Sequence, residues 1–420
     1  MSPVFSPVSL LNVFLNFGAE PIPVGRLALL NREIVFEFSP EFPAGILNIS
    51  PLKLRTNEGH SVISGPSEPF EGLHGVFSDS LPDGWGRLLV DRKVKELGVM
   101  PAQLTSLDRL AWVGANGMGA LTYQPERLLV KEGADERIDL DELAAASRQT
   151  LEDVPEAVFE HLLMAGGSPQ GARPKALIGL SANKSIAVYG TEQLPDDYQH
   201  WLVKFVAPKD HPEAGLVEKV YANMSKDAGI NVSESVLLPS GASPGYFATK
   251  RFDRINGRRL HMHTAAGMLH ADFRLPSAGY VELLKLVGFV TRDHAFVEQM
   301  FLRMVFNIIA HNRDDHIKNH AFLMNDMGHW SLSPAYDVTF SGGPGGEHTL
   351  DVAGEGKNPT VRHILKVAAS VGLSSSFAKE AFGIVRDVIA RWPEYASEIG
   401  VSSKEIQRIG KFHNLTLPPA

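Results

Sequence analysis

Apolar and polar positions alternate on both sides of Asn31-Arg32 within residues 25–38, which predicts two short strands around a turn. After the turn signal Pro82-Asp83-Gly84, residues Leu88, Leu89, Val90, Val94 and Leu97 recur near helical spacing. Gly114, Gly117 and Gly119 then punctuate a loop before Ala120-Leu121-Thr122-Tyr123. Together these predict a small α+β domain over residues 1–128. Residues 129–158, rich in Glu, Asp, Arg and Ala with Leu140, Leu143 and Leu151, predict a linker helix. Next come a Gly-rich stretch, a hairpin pivoting near Ser181–Lys184, a strand over Trp201–Val206, a helix from about Pro212 and a strand leading to Lys250, forming a unit over 159–256. From 257 to 420 the pattern is mainly helical, and no internal repeat is visible.

At 420 residues the chain calls for two or three packing units. Hydrophobic residues at 44% and charged residues at 21% describe an ordinary globular chain. No run approaches the roughly 20 apolar residues that span a bilayer, and the first 30 residues lack the layout of a secretion signal, so a cytoplasmic protein without membrane partners is expected. The absence of Cys excludes disulfides, thiolate nucleophiles and Cys-type metal sites. A net charge of −8 and a pI near 6.1 argue against binding nucleic acid through bulk phosphate attraction. Arg87, Arg92, Lys93 and Lys95 form a local basic patch that fits phosphate contact, although a solvated helix face explains it at least as well.

The strongest chemical signal is Asp314-Asp315-His316-Ile317-Lys318-Asn319, which follows the apolar run Phe301–Ile309 of a buried helix. Ala321–Met324, the turn Asn325-Asp326-Met327-Gly328 and His329–Ser333 then describe a hairpin that returns the chain and brings Asp337 near Asn319. Mg²⁺ prefers carboxylate and amide oxygens plus substrate phosphates, so Asn319 and Asp337 suit a nucleotide-bound magnesium. Asp314, five residues before Asn319, takes the place of a base that orients an attacking hydroxyl, as in the protein-kinase loop where the catalytic Asp precedes the metal-binding Asn by five. Taken singly, Asp and Asn in such a loop more often serve turns and caps.

Linear order strengthens the reading. Gly166-Gly167-Ser168-Pro169-Gln170-Gly171 comes first, where a Gly-rich turn lets backbone N–H groups approach phosphates. No Gly-Lys-Ser/Thr follows, so it is not a Walker A motif. Lys204 lies in an apolar strand and suits a contact to nucleotide phosphates, against the plainer reading of an outward-facing strand lysine. Glu218 follows on a helix whose apolar stripe is Leu216, Val217, Val220, Met224 and Ala228. Periodicity alone makes Glu218 solvated, and its functional reading requires pairing with Lys204.

These residues resemble the HipA kinases. Val24-Gly25-Arg26-Leu27, Phe77–Asp83 and Leu110–Leu121 look like that family's N-terminal domain. Ser168 to Lys175, including Gly171 and Ala172, is similar to its phosphate loop, in which Ser168 matches the serine that is autophosphorylated. Lys250-Arg251-Phe252-Asp253-Arg254 is similar to its hinge, whose backbone at Lys250 and Phe252 would contact adenine. Asp314, His316, Lys318 and Asn319 match the catalytic loop, with His316 and Lys318 on the nucleotide side, and Tyr336-Asp337 matches the metal element. Asp315 departs from the Gly commonly seen there, placing an extra carboxylate beside the base.

The resemblance implies an α+β, protein-kinase-like two-lobed fold: a β-rich nucleotide lobe, a helical C-terminal lobe and an added N-terminal α+β domain. It further implies ATP and Mg²⁺ as cofactors and Ser/Thr phosphorylation of a protein, one known kind of target being an aminoacyl-tRNA synthetase. The implied partner is a HipB-like DNA-binding antitoxin, through which operator DNA is reached. Phosphorylation of Ser168 would accompany an inactive, loop-ejected state. A small-molecule phosphotransferase with the same Asp, Asn and Asp arrangement and a non-catalytic nucleotide-binding co-repressor are the alternatives. A metal hydrolase is less favoured: no His-Glu-x-x-His spacing occurs, and His261 and His263 read as alternating strand residues.

Overall fold

The computed structural model describes residues 5–56, 62–127, 137–152, 162–163, 171–190, 193–275 and 278–417. Gly167 and Ser168 lie outside the described residues. The chain forms two compact units, one of residues 1–212, 238–263 and 323–328, the other of 213–237, 264–322 and 329–420.

The first unit opens with a five-stranded sheet in the order β4-β3-β2-β1-β5, made from β1 (Leu10–Leu15), β2 (Ile22–Leu30), β3 (Glu33–Phe38), β4 (Ile63–Ser64) and β5 (Leu121–Gln124). Asn31 and Arg32 both take positive φ, at 49° and 71°, as a two-residue turn compatible with strand twist requires. Alternation in β1 sends Leu11, Val13 and Leu15 into the core, where the Phe36 and Phe77 rings meet at 4.7 Å. Gly25 is fixed by that packing, since a Cβ there would lie 2.7 Å from the Phe36 ring.

The helix Gly84–Glu96 follows the predicted turn. Three of its basic residues are engaged: Arg87 pairs with Glu71 at 2.5 Å, Lys93 with Glu96 at 3.2 Å, and Arg92 donates to the Thr150 carbonyl. The helix Ser106–Val113 starts in a capping box, with Thr105 Oγ1 accepting from the Asp108 N–H and Asp108 accepting from the Thr105 N–H. Within residues 129–158 the helix Leu140–Leu151 forms. A second antiparallel sheet runs β7-β6-β8, from β6 (Lys175–Ser181), β7 (Ala187–Tyr189) and β8 (Tyr198–Lys204), and continues into the strand Tyr246–Lys250.

Buried carboxylates act as internal fasteners in this unit. Asp253 is fully buried and accepts from Arg251 at 2.7 and 3.0 Å, from Arg254 at 2.7 Å and from the Gly119 N–H at 2.7 Å. The same arginines and Arg259 donate to the carbonyls of Gly117, Gly119 and Ala115. The glycine loop at 114–119 is thereby bolted to the Arg-Phe-Asp-Arg segment. Burial works against ionisation of Asp253, but Arg251 and Arg254 outweigh it and hold the carboxyl well below its usual range. Ser50, His263 and Asp79 form a second chain, with His263 Nε2 3.1 Å from Ser50 Oγ and Nδ1 2.6 Å from Asp79 Oδ2. That order imitates a hydrolytic triad, yet Ser50 and His263 are buried and the set serves as a structural tie.

The second unit is largely helical. Helices Tyr280–Thr291 and His294–Ile309 turn on Arg292 in the left-handed region, with Asp293 capping the Ala295 N–H. The second of these is buried along its C-terminal half, Met300 through Ile309 apart from Leu302, as expected of a central core helix. Around it lie Ala214–Asp227, Val361–Ser370, Ser375–Ala390, Trp392–Ile399 and Ser403–Gly410. Among the described residues no helix is long and apolar enough to cross a membrane.

The Asp253 cluster yields a prediction. Asp253→Asn leaves the buried Arg251 and the part-buried Arg254 without their anion and should cost about 3–5 kcal/mol in urea unfolding at pH 7. Because the folded carboxyl is held below its unfolded value, its contribution is complete above about pH 4 and is lost as pH falls further. The gap between variant and wild type should therefore narrow in acid; equal midpoints at pH 7 would show that the cluster is not a fastener.

Candidate functional site

The central helix delivers the chain directly into the loop that carries Asp314 and Asn319. It ends at Ala310; His311 then takes φ 56°, and residues 312–319 turn outward before the strand Ala321–Met324. Two backbone bonds to Ser341 hold the loop entrance, from the Arg313 N–H at 3.2 Å and to the His311 carbonyl at 3.1 Å. Asn312 is tied back to Asn307 by its main chain and its side chain, both at 2.9 Å.

Asp314 is exposed, whereas the adjoining Asp315 is buried. Asp315 accepts from the Tyr280 hydroxyl at 2.6 Å, from the Thr349 N–H at 2.9 Å, and faces His348 Nδ1 at 2.9 Å. Burial alone would raise its pKa, but His348, Tyr280 and the Thr349 N–H outweigh that and hold the carboxyl below the usual range. Burial and the Asp315 charge push the Tyr280 hydroxyl well above its ordinary value, so it stays a donor. The carboxylate expected to disturb the base is thus engaged in anchoring the loop.

Asn319 donates its amide to the Asp314 carbonyl at 2.8 Å, which leaves the amide oxygen as the atom a cation would take. Asp337 sits at φ 53°, a left-handed conformation that Asp tolerates better than most residues. The segment before it is pinned at three points: Arg303 donates to the Ser333 carbonyl at 2.6 Å, the Ala335 N–H to the Asn231 carbonyl at 2.8 Å, and the Tyr336 hydroxyl to the Lys318 carbonyl at 2.8 Å. Asp314, Asn319 and Asp337 line one cavity together with Arg303, Asn307 and Asn312.

That cavity is polar in depth. Among the described residues, Ser225 Oγ, Arg303 Nε, Asn312 Oδ1 and His320 Nε2 are buried atoms without a hydrogen-bond partner, and all four residues line it. Burial lowers the Arg303 pKa to about 9, so it still carries its charge near neutrality, and lowers His320 to about 3, so that ring is neutral. Among the described residues no three His, Asp or Glu side chains form a metal cluster. A cation held by Asn319 and Asp337 would complete its shell with water and phosphate oxygens, the habit of Mg²⁺.

His316 and Lys318 flank the loop at the ring of Phe273, His316 with centroids 5.5 Å apart and Lys318 with its ammonium 4.7 Å from the centroid. Glu218 belongs to this second unit, on the helix Ala214–Asp227, and is buried rather than solvated as periodicity predicts. A stripe computed from one helix does not register what covers its flank.

The other expected residues lie in the first unit. Lys175 opens β6, buried, and stands directly opposite Lys204 at the end of β8. Cross-strand partners share a face, so the two lysine side chains leave the sheet on the same side. The Lys204 ammonium lies 5.7 Å from the Phe247 ring centroid. Gly171 and Ala172 precede Lys175, and Gly171 takes φ 100°. Lys250 closes the strand Tyr246–Lys250, and Phe252 alternates with the buried Arg251 and Asp253.

Arg303, Asn307, Tyr280 and His348 escaped the sequence reading. Arg303 and Asn307 carried a legible signal: two polar residues four apart inside the run Phe301–Ile309 share one helix face. His348 gave none, because its link to Asp315 spans 33 positions.

Comparison with known proteins accords with this geometry. A family model described as the HipA-like C-terminal domain matches residues 167–393, and one described as the HipA N-terminal domain matches residues 11–124. The Escherichia coli K12 toxin YjjJ is 25% identical over 300 residues, covering 65% of this chain and 61% of that protein. Y4dM of Sinorhizobium fredii, which carries a provisional kinase name, is 28% identical over 153 residues, 33% of this chain and 36% of that protein. The matched stretches thus span less than two thirds of these relatives. A chain from the solved complex of Shewanella oneidensis HipA, HipB and operator DNA superposes with a TM-score of 0.65 at 15% identity, covering 96% of this chain and 95% of that one. The fold is therefore the expected α+β, kinase-like two-lobed arrangement with its added N-terminal domain. With both family models matched in order along the sequence, this chain belongs to the HipA family.

Proposed function

We propose that the chain is an ATP-dependent Ser/Thr protein kinase acting as the toxin of a HipBA-type system. The observation that carries the reading is the convergence of Asp314, Asn319 and Asp337 on one polar cavity. Asp314 is exposed at its rim and accepts or orients the proton of the attacking hydroxyl. Asn319 and Asp337 would hold Mg²⁺, which supplies charge neutralisation to the phosphates when bound. The facing lysines Lys175 and Lys204 bind phosphate oxygens, with Gly171 and Ala172 offering backbone approach. Glu218 orients Lys204, the main chain at Lys250 and Phe252 receives adenine, and His316 and Lys318 contact the nucleotide.

The domain divisions at 128, 158 and 256 belong to the same reading: an N-terminal domain, a linker helix, a nucleotide lobe and a helical lobe. Ser168 is the autophosphorylation site, and its modification switches the enzyme off. The partners are a HipB-like antitoxin, operator DNA through that antitoxin, and a protein substrate of the aminoacyl-tRNA synthetase kind, all in the cytoplasm. The solved Shewanella oneidensis complex, which contains HipB and operator DNA, supports the partner assignment.

Incubation with γ-labelled ATP and Mg²⁺, followed by mass-spectrometric mapping, tests the activity. Label is expected on Ser168 of the wild type, absent from Ser168→Ala and reduced about a thousandfold in rate by Asp314→Asn with ATP affinity retained. Wild-type protein that binds ATP but labels neither itself nor any protein would favour small-molecule transfer or a co-repressor.

A second variant probes the loop anchor. Asp315→Ala removes the acceptor of a buried Tyr280 hydroxyl and should lower kcat about tenfold or more while ATP affinity changes less than about twofold. Unaltered kcat would mean that Asp315 does not set the loop.

A further inference from the structure

The segment Asp83-Gly84-Trp85 makes contacts that helix formation does not require. Asp83 is the N-cap of the helix Gly84–Glu96, yet its side chain makes no capping hydrogen bond there. Its carboxylate accepts instead from the Gly171 N–H. The Trp85 N–H, one of the donors every helix start leaves over, bonds the Gly171 carbonyl at 3.0 Å. The backbone N–H and carbonyl of Gly171 are therefore both taken by the same helix start.

Four residues on, the Trp85 indole donates to the Lys175 carbonyl at 3.0 Å, and Trp85 is buried. Gly84, at φ 39°, permits this approach, since a Cβ there would lie 2.6 Å from Ala172 Cα. The Lys175 ammonium in turn occupies the position a side chain on Gly171 would take. Gly171 to Lys175 is thus gripped at both ends, with its lysine folded over its own glycine.

We infer that Asp83 and Trp85 are positioning residues, holding Gly171 and the Lys175 ammonium in place for the phosphates of a nucleotide. The inference rests on the nucleotide reading proposed above. A rigid segment meets the phosphates without ordering cost, so loosening it weakens phosphate-dependent binding. Adenine recognition, assigned to the hinge near Lys250 and Phe252, does not depend on it.

The test measures ATP and adenosine binding by calorimetry for the full chain, Asp83→Ala and Asp83→Asn, alongside amide hydrogen exchange at Gly171. Asp83→Ala should weaken ATP about tenfold, leave adenosine within about twofold, and speed exchange at Gly171. Asp83→Asn, which keeps an acceptor oxygen, should recover most of the ATP affinity. Equal weakening of ATP and adenosine would show a merely structural role, and unchanged ATP affinity in Asp83→Ala would remove any role; either overturns the inference alone. Wild-type protein that binds neither ligand would overturn the nucleotide reading, and this inference with it.

Discussion

A carboxylate shut away from water must find enough donors to replace its hydration, and Asp315 meets that demand in the centre of the second unit. Its oxygens collect the Tyr280 hydroxyl, the Thr349 N–H and His348 Nδ1. Tyr280 also accepts from Asn307 at 3.0 Å, and Asn307 holds Asn312 at the start of the loop. Once these bonds form, the direction of the chain at 314 is largely decided. Asp315 points into the protein and its neighbour Asp314 points out. An alternative loop shape would expose or orphan a buried charge, at a cost far above that of a surface rearrangement.

The first unit uses the same physics. Asp253, buried against Arg251 and Arg254, joins the glycine loop at 115–119 to the segment after Lys250, and Arg259 adds a bond to the Ala115 carbonyl. Asp79 reaches His263, and Asp83 reaches Gly171. Each link joins residues far apart in sequence, and each ties a segment before residue 125 to one after residue 170. All of these residues belong to the one compact unit of residues 1–212, 238–263 and 323–328.

Much of this was legible along the chain. Asn31 and Arg32 identified a hairpin because two-residue turns demand particular backbone angles, a local property. The spacing from Asp314 to Asn319 and the return to Asp337 were readable because one hairpin connects them. Burial of Glu218 was not, since the flank of a helix is covered by residues remote in sequence. Nor was the role of Asp315, whose His348 partner lies 33 residues on. The cross-strand pairing of Lys175 with Lys204 depends on sheet register, which no single strand discloses.

The central claim is that Asn319 and Asp337 hold a divalent ion against nucleotide phosphate. Pulsed electron paramagnetic resonance of Mn²⁺ added with ATP tests it most directly, because hyperfine coupling reports which nuclei border the ion. The account predicts ³¹P coupling in the protein-bound spectrum and loss of the bound signal in Asn319→Ala and Asp337→Ala. A bound ion without ³¹P coupling, or one unaffected by both substitutions, would contradict it.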